Sequence, residues 1–92
     1  MTLTPLHMIH STAGLDRCLG RATAESTLLL LEDGVYAALA PRSVPARALY
    51  VLAEDLAARG LDRGHLAPGI TALDMKGFVA LTVAHSPVVS WF

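Results

Sequence analysis

Three kinds of residue in this sequence can do chemistry: one cysteine, four histidines, and a Glu-Asp pair that ends an apolar run. Cys18, in "LDRCLGRA", is the single thiol, which excludes an internal disulfide and any multi-cysteine zinc site. A lone thiol is either a nucleophile or a packing residue. On a helical wheel with Leu15, Leu19 and Ala22 as the apolar stripe, Cys18 falls at the flank, with Arg21 about one turn later on the adjoining side. A neighbouring guanidinium favours the thiolate. A small buried thiol is equally natural there.

Glu32 and Asp33 sit in "LLLLEDGVYAAL". A general-acid pair, a metal-ligand pair and a simple turn all call for such residues. The carboxyl end of a strand is where open α/β sheets place ligands, but successive strand residues point to opposite faces, so the two carboxylates cannot easily share a proton or a metal. Asp-Gly chemistry favours turn and cap duty. His7 and His10, three apart on a strand edge, also face opposite ways, and neither they nor His65 and His85 have a carboxylate or cysteine at zinc spacing. All four are expected to be ordinary surface or core histidines, and no metal site is expected. "HSTAG", residues 10 to 14, could cradle an anion at a helix N-terminus. It lacks the further glycines of a dinucleotide loop, so a capping loop is expected and no cofactor is implied.

The elements that position these residues alternate. Leu6 to Ile9 read as a strand, followed by a helix that Ser11 or Thr12 caps. Thr27 to Leu31 has no polar alternation, as expected of a central parallel strand covered on both sides. A short helix capped by Asp33 and ended before Pro41 follows. Leu49 to Leu52 read as a strand, and the next helix has Glu54 and Asp55 in its first turn, Arg59 in its last and Gly60 beyond it, as the macrodipole and C-cap rules favour. Ile70 to Leu73 repeat the strand, with Asp74 as cap and Phe78, Leu81 and Thr82 at helical spacing. The β-branched Val79, Thr82 and Val83 suit a strand equally. "VVSWF" reads as a last strand. Strands alternating with helices imply an α/β fold: a small three-layer, flavodoxin-like architecture, mostly parallel, with helices on both faces.

Ninety-two residues make one domain, 1–92, yet 53% are hydrophobic and only 16% charged, against about 25% charged in ordinary soluble domains. A chain this short cannot hide that much apolar surface alone, which predicts an oligomeric assembly. No apolar stretch approaches the roughly 20 residues of a membrane span. "MTLTPLHMIH" has no basic region or cleavage site of a signal peptide, so a cytoplasmic protein is expected. Net charge is -1 with scattered basic residues, so no face is set to neutralise nucleic-acid phosphates.

Four segments, "LLLLEDGVYAAL", "LYVLAEDLAARGL", "GFVALTVAHS" and the ending "SWF", together resemble the small sulfur-relay subunits called TusB in tRNA thiolation and DsrH in sulfur oxidation. The resemblance covers nearly the whole chain and implies the DsrE-like fold. It further implies a cytoplasmic sulfurtransferase complex built as a dimer of heterotrimers. The partners would be a DsrE/TusD-like sister that carries the principal persulfide cysteine, a DsrF/TusC-like sister, and a DsrC/TusE-like carrier that accepts the sulfur. Sulfur-oxidation members keep a cysteine in the first helix, which Cys18 resembles in position, and tRNA-thiolation members commonly lack it. The resemblance therefore leans towards DsrH, with Cys18 as candidate persulfide carrier. The alternative is a scaffold subunit in which Cys18 is only core. On the same resemblance, Glu32 and Asp33 are turn, cap and interface residues.

Overall fold

A computed structural model describes residues 4–39, 44 and 46–92. Five strands, β1 (Leu6–Ile9), β2 (Thr27–Leu30), β3 (Ala48–Leu52), β4 (Ile70–Leu73) and β5 (Val88–Trp91), form one sheet in the order β4-β3-β2-β1-β5. Every pairing is parallel. The expected α/β class is present, with "TLLL" as the middle strand, buried along its whole length. Backbone ladders in a parallel sheet need cover on both faces, and a run of leucines supplies the apolar side chains for both. The strand order differs from the 2-1-3-4-5 of flavodoxin itself.

Three crossovers step from β1 to β4 in one direction. Their right-handedness puts α1 (Thr12–Cys18), a 3-10 helix (Glu32–Ala38) and α2 (Ala53–Ala58) on one face. These close a core of Ile9, Leu15, Cys18, Leu28, Leu30, Val35, Ala38, Val51 and Leu56. The long return to β5 runs through α3 (Met75–Ala84) on the opposite face, where Leu6, Leu29 and Leu52 are buried by the strand alternation.

The ambiguous segment after β4 is a helix. Asp74 caps it by accepting from the Gly77 N–H at 2.8 Å, and Phe78, Leu81 and Thr82 are its half-buried side. Met75, Val79 and Val83, at i, i+4 and i+8, stand 42, 53 and 78% exposed. Soluble monomers rarely leave large contiguous apolar surface bare, so a stripe of that kind is a candidate docking surface.

One expectation about the turn after β2 is corrected. The 3-10 helix has Leu31 as its N-cap and no side-chain cap bond, so Asp33 is not the cap; its carboxylate is taken by Arg59. The left-handed backbone falls on Glu32, at φ 51, not on Gly34. Gly34 is required for another reason: a Cβ there would run into the Ile9 carbonyl. The stop expected at Pro41 lies outside the described residues. Because that obstacle is backbone on the central sheet, Gly34→Ala should destabilise the fold by about 2 kcal/mol or more. That corresponds to a fall of roughly 8 °C or more in thermal midpoint, and an unchanged midpoint would show that the turn can move aside.

Candidate functional site

The sheet order reverses at β1, which lies between β2 and β5. The crevice beyond the carboxyl ends of β1 and β5 is therefore the switch point at which open α/β sheets bind ligands. His10 follows β1 there, and its backbone N–H donates to the Trp91 carbonyl at 2.9 Å. The ring stacks on Phe92, with centroids 4.2 Å apart and planes inclined by 14°. His10 Nδ1 lies 2.6 Å from Glu32 Oε1. The side chain of His10 is only 10% exposed, and its Nε2 is buried with no hydrogen-bond partner among the described residues.

Glu32 reaches His10 because of its left-handed backbone, a conformation that costs a non-glycine residue about 1–3 kcal/mol. Its N–H donates to Asp55 Oδ2 at 2.6 Å, which ties the turn to α2. Asp33 points elsewhere: Arg59 Nε and Nη2 donate to Asp33 Oδ1 at 3.1 and 2.9 Å. That bond is the main reason the guanidinium is held further into its protonated range. Arg59 also lies over the Tyr36 ring. The two acids thus diverge, although not by strand alternation: both lie in the 3-10 helix, and Glu32 takes the left-handed backbone.

The other histidines are structural. His7 is buried in β1, where Nδ1 accepts from Trp91 Nε1–H at 2.9 Å; burial lowers its pKa, so the ring is neutral. His65 joins Asp62 in the capping box of a one-turn helix, Arg63–His65, and His85 Nδ1 lies 3.0 Å from Thr4 Oγ1. In "HSTAG" the Ser11 hydroxyl accepts from the Gly14 N–H, a plain helix cap. Among the described residues no group of three His, Cys, Asp or Glu side chains could hold a metal ion, and no helix is long and apolar enough to cross a membrane.

Cys18 is not at a helix flank. It is fully buried in the core. The expected stripe assumed a helix running to Ala22, but α1 ends at Cys18 with Leu19 as its cap, so the inward line is Gly14, Leu15 and Cys18. Arg21 lies in the turn beyond, exposed. Burial pushes the thiol pKa up to about 11. A thiol in the last turn of a helix also faces the end whose partial charge is negative, the reverse of the N-terminal setting that activates cysteines.

The family model described as "DsrH like protein" matches residues 10–88. The chain belongs to the DsrH family. Among curated relatives, Protein TusB of Pectobacterium parmentieri is 36% identical over 95 residues, covering 94% of this chain and 99% of its own. Protein TusB of Yersinia pestis (strain Pestoides F) is 38% identical over 84 residues, covering 84% and 86%. A Thermotoga maritima protein solved by solution NMR shares the fold, with a TM-score of 0.69 over 85% of this chain and 90% of that one, at 23% identity.

Within this DsrH family member, the pairing that sequence reasoning missed is His10 with Glu32. No sequence signal pairs them: they meet because both stand just past the carboxyl ends of strands that are neighbours in the parallel sheet, in the register Ile9 to Leu30. For Cys18, a pKa near 11 leaves roughly one thiol in a thousand ionised at pH 8. Iodoacetamide should therefore modify the native protein at least about a hundredfold more slowly than the urea-unfolded chain. The native rate should still climb above pH 9, where an unfolded thiol has levelled off. Equal rates in both states would place the thiol at the surface.

Proposed function

We propose that this chain is a scaffold subunit of a cytoplasmic sulfur-relay complex serving wobble-uridine thiolation of tRNA, with the relayed sulfur carried on its partners. The observation that carries this reading is the burial of its one cysteine. Persulfide exchange needs an accessible thiolate that attacks the outer sulfur of a donor, and a sealed thiol with a raised pKa is poorly suited to that. The partners are the DsrE/TusD-like and DsrF/TusC-like sisters in a dimer of heterotrimers, with a DsrC/TusE-like protein as acceptor. The exposed Met75, Val79 and Val83 stripe suits docking against a sister. The seven basic residues are scattered along the sequence, with no run of them to grip tRNA.

Relatives named TusB at 36 and 38% identity support the tRNA-thiolation branch. The lean to sulfur oxidation rests on a cysteine in the first helix and on "EDGVYAAL"; the cysteine is in α1, but buried and without the flank position that would favour its thiolate. The carrier role for Cys18 is the second reading, favoured only by the presence of a cysteine in the first helix; it requires α1 to open in the complex.

With both sisters and a persulfide donor, intact mass should show sulfur on a sister cysteine and none on this chain. Cys18→Ala should assemble and relay at the wild-type rate, whereas Val83→Asp in the stripe should weaken assembly at least about tenfold. Deleting the gene should remove 2-thiouridine from tRNA, and Cys18→Ala should restore it. Sulfur on Cys18 in the assembled complex would decide for the carrier. Unchanged 2-thiouridine in the deletion would move the chain to the sulfur-oxidation branch.

A further inference from the structure

His10 Nε2 is the one buried side-chain nitrogen or oxygen without a hydrogen-bond partner among the described residues. A buried polar atom of that kind is destabilising unless something outside the chain completes it. Its chemistry is fixed by the other ring nitrogen. An ionised carboxylate only accepts, so the 2.6 Å contact from Nδ1 to Glu32 Oε1 puts the proton on Nδ1. In the neutral ring Nε2 is then a bare lone pair, and its missing partner must be a hydrogen-bond donor. The arrangement is that of a base oriented by a carboxylate, with the nucleophile missing.

The surroundings fit a donor that arrives with another protein. The site lies at the switch point between β1 and β5. Phe92 stacks on one face of the imidazole and is yet 68% exposed, so a partner side chain can displace it at small cost in burial. The charged groups on the elements packed against His10 are few. Glu32 and Asp33 lie on the 3-10 helix, with Asp33 committed to Arg59, and Asp16 and Arg17 lie on α1; β5 has none.

We propose that His10, oriented by Glu32, is a general base acting in trans: its free Nε2 takes the proton from a cysteine thiol of a partner subunit docked over the carboxyl ends of β1 and β5. This rests on the sulfur-relay reading and gives the chain a part in the chemistry that its own buried thiol does not play. The partner cysteine S–H bond breaks and the proton passes to Nε2, giving an imidazolium beside the Glu32 carboxylate. The thiolate attacks the outer sulfur of a cysteine persulfide donor. A new S–S bond forms, the donor S–S bond breaks, and the donor leaves as a thiolate that recovers the proton from Nε2. One persulfide and one thiol exchange places, so no outside oxidant or reductant is consumed.

The test is the single-turnover rate at which a sister cysteine gains sulfur from a cysteine persulfide, read by intact mass in the assembled complex. His10→Asn keeps an amide where Nδ1 meets Glu32 and deletes the position of Nε2. It should elute in the complex and slow loading about a hundredfold at pH 7. His10→Ala should be equally slow and be accelerated by added imidazole, which a purely structural role would not produce. Glu32→Gln, a change at an exposed side chain, should slow loading about tenfold and decides the question if neither His10 variant assembles. An assembled His10→Asn complex that loads at the wild-type rate, or a Glu32→Gln complex that does, overturns the proposal and leaves the relay reading standing. A wild-type complex whose sister cysteine never loads overturns both.

Discussion

Every strand pairing in this protein is parallel, and a parallel sheet needs cover on both faces. The chain meets that requirement in its middle strand, where Leu28, Leu29 and Leu30 send side chains alternately into the two apolar layers. The positions of the helices follow from it. Each crossover must return over the sheet in the right-handed sense, so α1, the 3-10 helix and α2 fall on one face and α3 on the other. The cost is that six- and seven-residue helices have no length to spare. α1 must put Gly14, Leu15 and Cys18 all inward to seal its side, and the thiol is given over to packing.

The same economy leaves the molecule incomplete at its margins. One face is sealed by three helical segments that pack on one another, while the other has a single crossover helix with no fully buried residue. Its outer line, Met75, Val79 and Val83, is as apolar as a core line. The edge strands β4 and β5 are half-buried at most. Soluble monomers rarely expose contiguous apolar surface of that kind, which agrees with a DsrH family chain acting as one subunit among several.

At the carboxyl ends of the strands the constraint runs the other way. Here packing gives way to polar contacts that cost backbone strain: a glutamate in left-handed conformation, held by Asp55 and reaching His10. Gly34 makes the arrangement possible, since only a residue without a Cβ lets the 3-10 helix lie against the Ile9 carbonyl. Such strain persists where surrounding structure over-determines it, commonly at functional sites. The histidine bonded to that glutamate also has, at Nε2, a buried polar atom without a partner among the described residues.

Much of this was determined by sequence. The unalternating "TLLLL" specified a buried central strand, and Asp74 and Ser11 specified caps, because periodicity and capping are local properties. What only the tertiary structure decided were properties of two segments at once. The flank assigned to Cys18 depended on where α1 stops, and burial by the neighbouring strands and helices sets its pKa. The role given to Gly34 depended on how close β1 lies. His10 and Glu32 are 22 residues apart, and neither residue carries a mark of the other. Their contact exists because β1 and β2 are adjacent in register and Glu32 turns left-handed, and a chemistry made of two strand ends is legible only once the strands are side by side.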